Sequence, residues 1–366
     1  MKFVFLDNID IDYTVDTPYR VPLGGSQSAL CYLAEALAAQ GHDVFVVNHT
    51  TVEGVVRGVH MYSFTGDFVS AFAPPPDAAI ILNRTGWGAQ IKPVLEAGTR
   101  LVLWMQHADD QPGALPLKDA VERGYYDGFA FVSDWQRLRF IDVFGVDAGK
   151  SGVMRNAIGA RFEGMFAEDE PIAAQKAWPA TLAYTSTPFR GLDVLINAFP
   201  MIRARRAGIR LNVYSSMQVY HDPSGADDPF ERLYAKARAT DGVTYVGSLP
   251  QPELAEELRR AAILAYPSTF AETSCIAVME AMASGCRVVT TDLGALKETT
   301  GGFGQLVAPG ADLQGAFADA CVAAIDQAAG PENEAQLRAQ VDHVNRTAVW
   351  SVRAREWARW ISSLAR

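Results

Sequence analysis

Residues 266–300 read YPSTFAETSCIAVMEAMASGCRVVTTDLGALKETT. Two carboxylates, Glu272 and Glu280, lie on either side of an expected helix start near Ser274, and the helix should run to Gly285. Free N–H groups and the helix dipole at such a start attract anions, so the amides of Ser274, Cys275 and Ile276 are placed to take a diphosphate. Glu280 comes about six residues further along, roughly 9 Å deeper at ~1.5 Å per residue, where it can accept hydrogen bonds from ribose hydroxyls. Glu272, ahead of the helix, would meet sugar hydroxyls beyond the phosphates. Spacing alone is a weak signal. With 42 acidic residues in the chain, two glutamates at this separation arise by chance, and an acid before a helix is a common cap.

These residues need strands and helices to hold them. Short apolar or β-branched runs alternate with amphipathic segments of helix length, the pattern of repeated βαβ units and a parallel sheet. In the first half, strands are expected at 2–6, 43–48, 78–83, 100–105 and 128–132. A helix is expected at 26–40, with Leu30, Leu33, Ala34 and Leu37 on one face and Gly41 as its stop. Residues 160–179 lose the rhythm: acidic, alanine-rich and proline-bounded, they read as a linker. The alternation resumes with strands at 181–184, 209–214, 243–246, 262–266 and 287–290 and a helix at 192–205. Trp350, Trp357 and Trp360 form a one-sided helical stripe near the end of the chain, which reads as core packing. The fold class expected is α/β, with two Rossmann-like domains.

Composition narrows the function. A length of 366 residues favours two domains, and 49% hydrophobic with 20% charged residues describes a soluble globular protein. The net charge of −10 lacks the basic footprint of nucleic-acid binding and allows at most weak peripheral membrane contact. Apolar runs such as 78–82 and 261–266 fall well short of the ~20 residues that span a bilayer. The opening MKFVFLDNID reads as a buried strand, not a signal peptide. Four scattered cysteines, Cys31, Cys275, Cys286 and Cys321, fit reduced thiols in a cytoplasmic protein, with no zinc spacing. Asp10 and Asp12 fit the D-x-D pattern of a divalent-cation site, yet acidic loop residues are common and nothing around them supports that reading.

The segment carrying Glu272 and Glu280 resembles the E-x7-E signature of the family 4 retaining glycosyltransferases, which have the GT-B fold. Residues 280–285 followed by 287–291 resemble that family's E-A-M-A-x-G-x-x-V-V run, and residues 294–298 its G-x-x-x-E loop. FRGLDVL at 189–195 is similar to its K-G-L-D-x-L-I, and VGSL at 246–249 to the turn near the nucleotide base. PLGGSQ at 22–27, GHDV at 41–44, VSDW at 132–135 and Asn156 also fall in the family's order.

The resemblance implies two Rossmann-like domains: 1–165 on the acceptor side, 180–346 for the nucleotide sugar, and a segment 347–366 packing back toward the first. It implies transfer of a sugar from a nucleoside-diphosphate donor, held in the cleft between the domains, to a saccharide or glycolipid acceptor, with retention and without a metal or cofactor. Gly24 and Gly25 would let backbone approach the donor phosphates. Glu272 would hold the donor sugar, Glu280 the ribose, and Arg190, in place of the usual lysine, the diphosphate. His107 would contact the sugar and help position the acceptor, and Leu249 would lie near the base. Ser186 and Thr187 stand where the family has a second basic residue, so either hydroxyls and helix N–H groups replace that cation, or another Arg reaches in from elsewhere, or the activity is weak. The rivals are a GT-B nucleotide-sugar isomerase or epimerase, a transferase-like chain without activity, and a non-enzymatic two-domain binding protein.

Overall fold

The computed structural model describes residues 1–220 and 228–364. The chain divides into two compact units. One comprises Met1–Pro18, Gly25–Ala157 and Trp350–Arg366, the other Tyr19–Gly24 and Ile158–Val349.

In the first unit, the central strands are continuous, apolar and buried on both faces, as a parallel sheet covered by helices requires, while the strands toward its edges are partly exposed. The strands are β1 (Lys2–Leu6), β2 (Asp43–Asn48), β3 (Gly54–Val56), β4 (Val59–Ser63), β5 (Ala78–Leu82), β6 (Arg100–Met105), β7 (Gly128–Phe131) and β8 (Ser151–Val153). They run in the order β3-β4-β2-β1-β5-β6-β7-β8, parallel except for the β3–β4 pair. In register, Phe3 stands opposite Val44 on one side and Ala78 on the other. Helix Gly25–Ala39 turns Leu30, Leu33, Ala34 and Leu37 inward and ends before Gly41, whose φ of 82° needs glycine.

The tryptophan stripe lies in helix Trp350–Ser363, which belongs to this unit. Trp357 packs edge-on against Trp104 of β6, and Trp350 faces Tyr32. At Gly152 a Cβ would sit 2.5 Å from the Trp360 indole nitrogen, so the glycine makes room for the ring. Of the terminal segment expected at 347–366, residues 365 and 366 lie outside the described residues.

The second unit has β9 (Thr181–Thr185), β10 (Arg210–Tyr214), β11 (Val243–Tyr245), β12 (Ile263–Tyr266), β13 (Arg287–Thr291) and β14 (Gln305–Val307). They lie in the order β11-β10-β9-β12-β13-β14, every pairing parallel. Chain order reverses between β9 and β12, and open α/β sheets bind ligands at the carboxyl ends of strands beside such a reversal. Residues 160–179, expected as a linker, pack into this unit instead. Phe166 and Ile172 form a small cluster with Leu337 and Val341, and the Lys176 ammonium donates to the carbonyls of Leu258, Arg259 and Ser284.

Candidate functional site

The loops leaving β9 and β12 meet at the reversal of the second sheet. After β9 the chain reads Ser186, Thr187, Pro188, Phe189, Arg190. Gly191 follows with φ of 98°, a region that penalises any side chain, and a Cβ there would lie 2.0 Å from the carbonyl of Pro267. Glycine thus lets the two loops touch. Arg190 Nη1 comes 2.5 Å from Glu272 Oε1, and its guanidinium lies 4.5 Å from the Phe270 ring centroid. Glu272, 4% exposed, also accepts from the Tyr266 hydroxyl through the same Oε1. Ser186 Oγ lies 3.4 Å from that hydroxyl.

The backbone of Glu272 is pinned separately. It forms a parallel bridge with Gly294, where a Cβ would fall 2.4 Å from the Glu272 carbonyl oxygen, and that oxygen accepts from Ala295 N at 2.7 Å. This pinning moves the helix start. The expected start near Ser274 is corrected to Ile276, in helix Ile276–Ala283 capped by Cys275 in an extended conformation. With Glu272 held in a bridge, the chain bends away from it at Thr273 and Ser274 before the helix begins. Ser274 and Cys275 therefore precede the helix, and Ile276 is its first residue.

Glu280 faces inward from that helix at 3% exposure, and its Oε1 accepts from Gly159 N at 3.2 Å. Burial pushes its carboxyl up to about 8, despite that bond and one from the Gln251 amide. Around the other strand ends lie hydroxyls. Among the described residues Thr185 and Thr187 Oγ1 and Ser215 Oγ are buried without a hydrogen-bond partner, and Ser216 Oγ pairs with Ser248 Oγ at 2.7 Å. Leu249, half-buried, follows Ser248 after β11.

The structure therefore brings together Arg190, Glu272, Ser186 and Thr187, with Ser274 and Cys275 leading into the adjoining helix that carries Ile276 and Glu280. His107 and Gly25 fall in the other unit. His107 follows β6, with its carbonyl accepting from the Gln136 amide at 2.8 Å. Gly25 is the first residue of helix Gly25–Ala39, one position earlier than expected, whereas the buried Gly24 belongs to the second unit. Asp12 is committed elsewhere. Its carboxylate accepts from the amide and hydroxyl of Thr51, which hold its pKa below the usual range, and Asp10 is exposed. Among the described residues no group of three or more His, Cys, Asp or Glu side chains is placed to hold a metal, and all four cysteines are buried and unpaired. No helix among them is long and apolar enough to cross a membrane.

Sequence reasoning missed Tyr266 and the hydroxyls of Thr185, Ser215, Ser216 and Ser248. The available signal was a polar residue at the end of an apolar strand, which is where an α/β sheet presents side chains to a ligand.

Residues 180–327 match the family model of the glycosyl transferases group 1. The MMP α-(1→4)-mannosyltransferase of Mycolicibacterium hassiacum is 32% identical over 124 residues, a match covering 34% of this chain and 28% of that protein. Among solved structures, the sucrose-phosphate synthase of Thermosynechococcus elongatus aligns with a TM-score of 0.73 at 18% identity, covering 100% of this chain and 99% of that one. HepE of Anabaena, solved with UDP and glucose, aligns at 0.69 and 15% identity over 100% of both. The fold is that of these GT-B glycosyltransferases: α/β, with two parallel-sheet domains.

Proposed function

We propose that the chain is a retaining glycosyltransferase that takes a sugar from a nucleoside-diphosphate donor without a metal or other cofactor. The observation that carries this reading is the Arg190–Glu272 pair at the strand reversal of the second sheet, inside the segment that matches the group 1 glycosyl transferases. A guanidinium there suits the departing diphosphate, and a carboxylate fixed beside it suits sugar hydroxyls. The mannosyltransferase relative and the neighbour solved with UDP and glucose support a nucleotide sugar as donor and a saccharide as acceptor, and a glycolipid acceptor enters on the resemblance of the motifs.

In the reaction, the bond between the anomeric carbon and the diphosphate oxygen breaks and the acceptor oxygen bonds to the same face. The acceptor's proton passes to the departing diphosphate. Negative charge grows on that diphosphate as the bond opens, so a fixed Arg190 favours the transition state over the ground state. Glu280 serves the ribose, and Ser274, Cys275 and Ile276 offer amides to the phosphates. Ser186, Thr187 and Leu249 complete the donor contacts. His107, Gly24 and Gly25 enter on the resemblance of their motifs. Buried, unpaired thiols support a reducing, cytoplasmic setting.

The test is a panel of uridine, guanosine and thymidine diphosphate sugars, read by thermal stability and then by transfer to saccharide acceptors. A ligand at 100 times its Kd adds about 2.7 kcal/mol. Stabilisation by one donor and product of retained configuration are expected. Inverted product would overturn the mechanism.

A further inference from the structure

We propose that Tyr266 is a positioning residue for the donor sugar: its hydroxyl fixes the Glu272 carboxylate so that Oε2 faces the sugar hydroxyls. The inference rests on the donor site argued above and adds a residue to it.

Oε1 of Glu272 takes two donors, Arg190 Nη1 and the Tyr266 hydroxyl. Each carboxylate oxygen has about two lone-pair sites, so these two bonds fill Oε1. Oε2 accepts from none of the described residues. The two donors together oppose rotation about the terminal torsion of Glu272, which is otherwise broad.

The phenol is itself rigid. Tyr266 ends β12 and is fully buried, and its ring packs against Tyr184 with centroids 5.8 Å apart. Its carbonyl accepts from Thr290 Oγ1 at 2.7 Å and from Ser268 N at 2.9 Å. Burial, with Glu272 alongside, raises the phenol pKa well above its ordinary value, so the hydroxyl stays protonated and donates throughout the physiological range.

Ser186 lies 3.4 Å from this hydroxyl, in the loop where the sequence resemblance expects a second cation. A neutral phenol and serine add no charge toward a diphosphate. The phenol holds the carboxylate instead. Tyr266 should therefore affect recognition of the sugar and leave recognition of the diphosphate alone.

The experiment measures affinities of wild type, Tyr266→Phe, Glu272→Gln and the double variant for UDP-glucose, GDP-mannose, UDP and GDP. For the preferred base, Tyr266→Phe should hold the nucleoside diphosphate within about 2-fold of wild type. The extra affinity gained from the attached sugar should fall by about 10-fold, the scale of a lost hydrogen bond to a charged group. In the Glu272→Gln background, the same change should do little more. Unchanged sugar preference in Tyr266→Phe overturns the assignment. So does an equal loss for diphosphate and sugar nucleotide, which is what a purely structural role would give. Should Tyr266→Phe fail to fold, 3-fluorotyrosine at this position retains the ring and alters only hydroxyl acidity. Sugar-dependent affinity should then move alone, and a lack of movement counts against the proposal. A wild type that binds diphosphates with no preference for the sugar removes the Glu272 reading, and this inference with it.

Discussion

The two sheets share a design but dress their strand ends differently. In the first unit, the residues after β5 and β6 are bonded to each other, and the residue after β1 is bonded within its own loop and helix. Asp7 accepts from the Tyr13 hydroxyl at 2.6 Å and the Gln27 amide at 3.0 Å, while burial raises its pKa. Asn83, held at a φ of 56°, accepts from Gln106 N at 2.6 Å, and the Gln106 side chain accepts from Asn156 at 2.9 Å. Asn83, Gln106 and Asn156 thus form a neutral amide network. In the second unit, the equivalent position holds an ion pair, a phenol and three buried hydroxyls without partners among the described residues. The first unit also leaves Asn83 Nδ2 and Asn156 Oδ1 buried without a partner among the described residues, so what sets the second reversal apart is its ion pair and phenol, and these support the donor site proposed there.

That contrast can be broken most directly at Arg190. Arg190→Ala should lower kcat by about 10²–10³, the cost of removing a preorganised donor from a developing anion. It should also lower Tm, because Glu272 is left buried with one donor fewer. Arg190→Lys keeps the charge without the fork, so it should restore stability and part of kcat. Steady-state kinetics and melting curves on the two variants separate these effects, and wild-type turnover by Arg190→Ala would remove the diphosphate from this loop.

Gly191→Ala should cost about 2–4 kcal/mol of stability, from a positive φ and a clash with the Pro267 carbonyl. Denaturant midpoints would show this; a loss within a few tenths of a kcal/mol would mean that the two loops are not held in contact.

Glu280 should give a subtler result. Glu280→Ala should raise donor KM with little change in kcat, since ribose contacts are equal in ground and transition states. Its pH signature is separate. A carboxyl raised on folding from 4.5 to about 8 makes the native state bind more protons than the unfolded state, so stability falls as pH rises through that window. Glu280→Gln removes this dependence and should melt above wild type at pH 8 and close to it at pH 5. A constant difference at both pH values would contradict the buried, raised carboxyl. The smallest expected effect is that of EDTA, which should leave activity unchanged; loss restored by Mn²⁺ would promote Asp10 and Asp12.

Much of this architecture was legible from the sequence because its signals are long. The apolar runs of β1, β2 and β6 and the leucine face of helix Gly25–Ala39 carry a clear period, and their ends agree within a residue or so. Three-residue strands such as β3, β8 and β14 are too short to show one. The stretch 160–179 read as a linker by composition, yet Phe162, Phe166 and Ile172 are spaced irregularly and still buried. At the site, Arg190 and Glu272 were visible as charges in motifs. Their pairing was not, because it depends on the contact that Gly191 permits with Pro267. Tyr266 was hidden for another reason: an aromatic residue ending an apolar strand looks like core, and only its hydroxyl reaches the site.

The central claim is that the second sheet's reversal binds a nucleoside-diphosphate sugar through Arg190 and Glu272. Calorimetric titration of wild type, Arg190→Lys and Glu272→Gln with a stabilising sugar nucleotide and its parent diphosphate tests it most directly. The account predicts that Arg190→Lys weakens both ligands, whereas Glu272→Gln weakens the sugar nucleotide and spares the diphosphate. Equal binding of both ligands by all three proteins would contradict it.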